Sequence, residues 1–231
     1  MPVLLGDAYR DAHARVDARM RSLAALDPDA LGTAVPACPG WTVHSVVSHL
    51  AGIAADALGG RLTGPPDDEW TAGQVDARLG VPVEDVLAEW APLVDPMVAG
   101  LNDRVIPPPA CADVLVHDGD LVEALGDDVP PAQEWVGVAG LLCGGRVKGL
   151  DVPGTLTVRV GEKEYSGGTG DGPAATLTIT PWEFLRGVFS RRSLDQMRAW
   201  DWDGDPEPWL APLCVFGPRT DDQPVASPGE H

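Results

Sequence analysis

The chain is predicted to hold two domains of different class, a helical bundle over residues 1–150 and a small α/β domain over residues 151–231. Apolar residues recur at helical spacing through most of the first 150 positions. Past Asp151 the pattern changes to strict alternation, as in Thr155-Leu156-Thr157-Val158-Arg159-Val160, which is the period of a strand. Helices first and strands later describe separate layers of structure rather than one mixed sheet.

The elements follow in order. Asp7 to Leu26 reads as a helix with Tyr9, Val16, Met20 and Leu23 inward and an Arg/Asp-rich outer face. The prolines and glycine of Val35-Pro36-Ala37-Cys38-Pro39-Gly40-Trp41 forbid a helix there. Thr42 can cap the next one by accepting from a first-turn amide, and Val43, Val46, Val47, Leu50 and Ala54 then line one face. Gly59 to Glu69 is a loop rich in Gly, Pro and Asp, followed by a short helix over Ala72 to Leu79. Val83 to Leu101 is a third long helix, kinked or interrupted by Pro92 and Pro96. A fourth helix covers Ala110 to Leu125, and a fifth runs through Trp135, Val138, Leu141 and Leu142.

In the second half, Gly161-Glu162-Lys163 reads as a turn and Ala174 to Thr180 as a strand. Pro181 opens a helix. Met197 to Trp202 is expected to be a last strand, with Trp200-Asp201-Trp202-Asp203 as an alternating edge. Beyond Thr220 the polar chain is expected to fray.

Composition narrows the function. A formal net charge of -19 and a pI near 4.3 repel phosphate backbones and anionic membrane surfaces, so neither nucleic acid nor membrane is expected as a partner. No apolar run approaches the ~20 residues that span a bilayer. The N-terminus lacks the basic start and apolar core of a signal peptide, so a cytoplasmic protein is expected, as monomer or homodimer. Cys38, Cys111, Cys143 and Cys214 form no Cys-x-x-Cys pair and read as reduced, partly buried thiols.

Five histidines are present: His13, His44, His49, His117 and the terminal His231. His49 lies on the shoulder of an apolar helix face, beside Val46 and Ile53, whereas His44 points to solvent. Nothing at helical spacing gives His13 an inward acidic partner. Asp113 and His117 stand four residues apart, which puts both on one face, one turn apart. Leu121 and Ala124 share that face, so it points inward. Such a pair is often only a helix-stabilising contact, and a lone core histidine is often structural. Together, His49, Asp113 and His117 can chelate one cation inside a bundle. Two imidazoles and a carboxylate suit zinc with an open position, and equally iron. Asp120, three residues after His117, can orient its imidazole.

The stretch from Val35 to Gly52 resembles the Pro-x-Cys-Pro-Gly-Trp-Ser/Thr segment, running on to a His, of the mycothiol-dependent maleylpyruvate isomerase family, within the DinB-like superfamily. The His of that segment is the family's first metal ligand and corresponds to His49. The family's later Glu-x-x-x-His, followed by Asp-Leu, corresponds to Asp113 to His117 with Asp120-Leu121. Here the carboxylate is the shorter Asp. The resemblance implies an N-terminal DinB-like up-down four-helix bundle and a small α/β sterol-carrier-like C-terminal domain. It places Trp182 to Asp205 at the helix-strand end of that domain.

The resemblance also implies a divalent metal, zinc in the first instance, with mycothiol as low-molecular-weight thiol cosubstrate and an electrophilic small molecule as substrate. The metal-activated thiolate would add to the electrophile, giving cis-trans isomerisation or, if the adduct is the product, thiol transfer. Arg191 or Arg192 would pair with a carboxylate of substrate or thiol, the plainer reading being a solvated surface pair. Trp41 reads as a packing anchor. A DinB-fold metal protein with a changed or lost reaction and a small-molecule binding module are the alternatives.

Overall fold

The computed structural model describes residues 5–62 and 67–226. Residues 63–66 of the Gly/Pro-rich loop, the first four residues and the tail with His231 lie outside them. The chain forms two compact units, one of residues up to Trp135 and one from Val136 to Val225. Among the described residues no helix is long and apolar enough to cross a membrane.

The first unit is helical. Helix α1 (Leu5–Leu26) packs on α5 (Val94–Asn102) and α6 (Pro109–Leu125). Helix α2 (Val43–Leu58) packs on α4 (Val83–Trp90), α6 and the short α3 (Asp68–Asp76). Tyr9, Val16, Met20, Val46, Leu50, Leu87, Trp90, Met97 and Leu121 form its core. Trp90 Nε1 donates to Tyr9 Oη at 3.0 Å, so the largest core side chain buries no unsatisfied polar atom. His13 sets its ring edge-on to Trp90, with centroids 4.5 Å apart.

The prolines act as expected of their chemistry. Pro92 opens a single 3-10 turn, Ala91–Leu93, that separates α4 from α5. Pro96 falls in the first turn of α5, where its missing N–H breaks no bond. Gly6 meets α5 so closely that a Cβ there would lie 2.7 Å from the Asn102 side chain, and its N–H donates to Asn102 Oδ1 at 3.0 Å.

Two caps position the elements of the site. Thr42 Oγ1 accepts from Ser45 N at 3.2 Å and starts α2. Asp67 Oδ1 accepts from Trp70 N at 2.8 Å, so α3 begins at Asp68, four residues before the expected start. An Asp at the N-cap satisfies a free amide and favours the positive end of the helix dipole.

The second unit opens with α7 (Val136–Lys148), which packs on β2 (Lys163–Gly167) and α8 (Pro181–Val188). The helix read as the last of the first domain thus lies in this unit. Gly144 explains the contact, because a Cβ there would stand 2.3 Å from the Tyr165 ring. The sheet has the order β2-β1-β3-β4, with β1 (Thr155–Val160) antiparallel to β2 and parallel to β3 (Ala174–Ile179). β4 (Asp201–Asp203) pairs antiparallel with β3 at the edge.

Two expectations are corrected. Met197 is not in a strand, because Ser193 and Gln196 form a reciprocal capping box that starts helix α9 (Leu194–Arg198), leaving three residues for β4. The chain past Thr220 does not fray as far as it is described. Gln196 Nε2 donates to Gln223 O at 2.7 Å, Gln223 N donates to Gln196 Oε1 at 3.0 Å, and Gln223 is buried. A further helix, α10 (Glu207–Leu213), follows β4 and buries Trp209, Leu210 and Leu213.

Candidate metal centre

The site is assembled from three separate segments of the first unit: α2 carries His49, α6 carries Asp113, His117 and Asp120, and the turn before α2 carries Cys38 and Trp41. That turn is closed by Val35 N donating to Trp41 O at 3.0 Å and Trp41 N to Cys38 O at 3.0 Å. Gly40 takes φ +85 there, a left-handed value that an L side chain rarely adopts.

His49, Asp113 and His117 come together, with their candidate ligand atoms within 4.8 Å of one another. His49 Nε2 lies 3.2 Å from Asp113 Oδ2, and His117 Nε2 lies 3.6 Å from Asp113 Oδ1. Each carboxylate oxygen therefore faces one imidazole, and the shorter Asp still reaches both. The imidazoles are buried, while the Asp113 side chain is 24% exposed and marks the side of the site nearest solvent.

The direction of each hydrogen bond decides the chemistry. Gln74 Nε2 donates to Asp56 Oδ2 at 2.6 Å, so Gln74 turns its Oε1 to His49 Nδ1, 2.7 Å away. An amide oxygen only accepts, hence His49 carries its proton on Nδ1. Arg61 Nε holds the far end by donating to Asp56 Oδ1 at 2.7 Å. Asp120 Oδ2 lies 2.9 Å from His117 Nδ1, which places that proton on Nδ1 too. Each ring thus turns its Nε2 toward the Asp113 carboxylate. Two imidazole nitrogens and a carboxylate, at 3.2 and 3.6 Å, are donor types that hold zinc or a similar divalent ion. The residues therefore fit one divalent ion, with Gln74 and Asp120 in the outer positions that orient ligand histidines.

Trp41 packs over both rings, its centroid 5.0 Å from His49 and 6.0 Å from His117, in keeping with a packing anchor. His44, expected in solvent, is half-buried, with Nε2 2.8 Å from Val81 O and Nδ1 3.3 Å from Ser48 Oγ. Three of the four cysteines are buried. Burial pushes the Cys111 thiol up to about 12 and raises Cys143 further, so these thiols stay protonated and inert.

A family model described as the mycothiol maleylpyruvate isomerase N-terminal domain matches residues 9–135, which include every residue of this site. The chain belongs to the mycothiol maleylpyruvate isomerase family. A crystal structure of the mycothiol-dependent maleylpyruvate isomerase shares its fold at 13% identity, with a TM-score of 0.52 over 83% of this chain and 90% of that one. A His-to-Ala mutant of that isomerase aligns similarly, at 12% identity and a TM-score of 0.51. No curated protein matches the sequence.

Arg191 and Arg192 belong to the second unit of this family member and are buried rather than a solvated surface pair. Arg192 Nε and Nη2 form a fork on Glu183, at 2.8 and 2.6 Å. Arg191 Nη1 donates to Phe189 O at 2.8 Å, and its guanidinium lies over the Phe216 ring. Gln74 and Asp56 escaped the sequence reading. The Asp67 cap was the available signal, since it sets the start of α3 and hence the face on which Gln74 lies.

Proposed function

We propose that this protein is a divalent-metal-dependent and mycothiol-dependent isomerase, acting on a small electrophilic alkene of the maleylpyruvate type. In this reading His49, Asp113 and His117 hold the ion, zinc in the first instance, on a DinB-like bundle, and the second unit is a sterol-carrier-like domain. The observation that carries it is the pair of Nε2 atoms turned toward one carboxylate, with both Nδ1 atoms held by acceptors, a donor set that suits a divalent cation. An ion held there supplies a Lewis acid that keeps a thiol as thiolate at neutral pH.

The chain's own residues do the positioning. Gln74 and Asp120 hold the Nδ1 protons, so neither ring can turn its N–H toward the ligand side. Trp41 packs its indole against the two imidazoles and gives that flank an apolar wall, which strengthens the electrostatics of the site. The bound thiol would supply the nucleophile that opens the double bond to rotation and would be released unchanged, so none is consumed. In that scheme the reaction belongs to the cytoplasm, where mycothiol stays reduced.

The test is isomerisation of maleylpyruvate by the native-purified protein with and without mycothiol, beside His49→Ala. Turnover that needs the thiol and is lost in the variant together with the bound ion supports the reading. Turnover unchanged by His49→Ala overturns it. Accumulation of a stable thiol adduct would replace isomerase by thiol transferase.

A further inference from the structure

His117 has a second pole, and the groups around it form a metal-ligating set of their own. On the Nδ1 side of the ring, Cys38 Sγ lies 3.7 Å from Nδ1 and 3.3 Å from Asp120 Oδ2, and Asp120 Oδ2 lies 2.9 Å from Nδ1. All three candidate ligand atoms fall within 4.8 Å of one another. The Asp120 side chain is fully buried and that of His117 is 8% exposed.

From this geometry we infer that the protein binds a second divalent ion at Cys38, His117 and Asp120, back to back with the first across the His117 ring. Zinc bond lengths of about 2.3 Å to sulfur and about 2.0–2.1 Å to nitrogen and oxygen define a tetrahedron. Its edges are about 3.5 Å from sulfur to nitrogen or oxygen, and about 3.3 Å from nitrogen to oxygen. The observed 3.7, 3.3 and 2.9 Å need shifts of only a few tenths of an ångström to match.

Charge balance favours the exchange. In the hydrogen-bonded form the Cys38 thiol and His117 Nδ1 both donate to Asp120 Oδ2. Binding releases both protons to solvent and installs one dication, with Cys38 as thiolate and His117 as a bridging imidazolate. The buried cluster keeps a net charge of -1, so no additional net charge is buried. A thiolate in the set selects soft or borderline ions such as zinc, cobalt and cadmium over magnesium.

The site shares His117 with the first but needs Cys38 and Asp120 and not His49, so Cys38→Ser and His49→Ala separate its failure from that of the proposed reaction. The probe is Co2+, titrated into the full-length protein already holding one equivalent of metal. The expected result is about one further ion per chain, with a near-ultraviolet thiolate-to-cobalt charge-transfer band that a nitrogen and oxygen set cannot produce. Cys38→Ser should keep the first ion and lose both the second and the band. His49→Ala should keep the band even if the first site and its activity are gone. For the wild type alone, alkylation of Cys38 should slow at least about tenfold when the second equivalent is added, as a metal-held thiolate is shielded. A second ion that binds without the band, or equally well to Cys38→Ser, is adventitious binding by surface carboxylates and overturns the inference. So does saturation of the wild type at one ion.

Discussion

Helix α6 carries two neighbouring residues, His117 and Asp118, that point to opposite partners and bury polar groups in different ways. Toward α1, Asp118 is 2% exposed and lies between two guanidiniums, with Arg15 Nε at 2.7 Å and Arg19 Nη1 at 2.8 Å. Burial opposes the charge on Arg19, yet Asp118 and Asp127 hold its pKa above the ordinary value. That face is neutralised by cations the chain brings itself. Toward α2, the Asp113 carboxylate faces two imidazole nitrogens instead. The comparison teaches how to read an acid on this helix: with arginines it is a structural tie, and with imidazoles whose Nδ1 atoms are already held it is the proposed place for a cation.

The contrast can be broken by mutation. His117→Ala should abolish metal binding, from about one ion per chain to none, while the protein still unfolds cooperatively; elemental analysis beside thermal melting reads this, and an ion retained in the variant would put the ligands elsewhere. Asp118→Ala should do the reverse. It leaves Arg15 with Glu134 and Arg19 with Asp127 alone and should cost about 1–3 kcal/mol in urea unfolding, with metal stoichiometry unchanged. Loss of metal there would mean that the two faces are coupled.

Smaller effects sharpen the comparison. Gln74→Leu removes the acceptor that keeps the His49 proton on Nδ1 and should weaken metal affinity about 10–100-fold. Competition with a chelator measures it, and restored affinity in Gln74→Glu would show that the acceptor and not the packing matters. Thr42→Ala deletes the α2 cap and should cost about 1 kcal/mol, with little change in metal affinity. A loss of affinity as large as that of Gln74→Leu would mean that the start of α2, rather than the outer hydrogen bonds, sets the His49 position.

How much of this was legible depended on the range of the interactions. The periodicity of α1, α2 and α6 and the Thr42 cap are local, and the helices begin and end within a few residues of their expected limits. The Val83 to Leu101 segment was readable as an interrupted helix because proline acts within one turn. The capping box at Ser193 is equally local, but the alternation of Trp200 to Asp203 masked it. The ties of Gln223 to Gln196 span 27 residues and left no pattern in the sequence.

The sequence by itself determined that Asp113, His117 and Asp120 share one helix face, because 3.6 residues per turn is a property of the backbone alone. With the Cys-Pro-Gly-Trp segment before α2, it also determined the family. Only the tertiary structure decided which nitrogen of His49 turns to Asp113, because Gln74 reaches the other nitrogen across 25 residues of chain. It likewise decided that Cys38 stands against Asp120, 82 residues away. Hydrogen-bond direction fixes a tautomer, and the partners that set the direction are brought together by packing rather than by spacing.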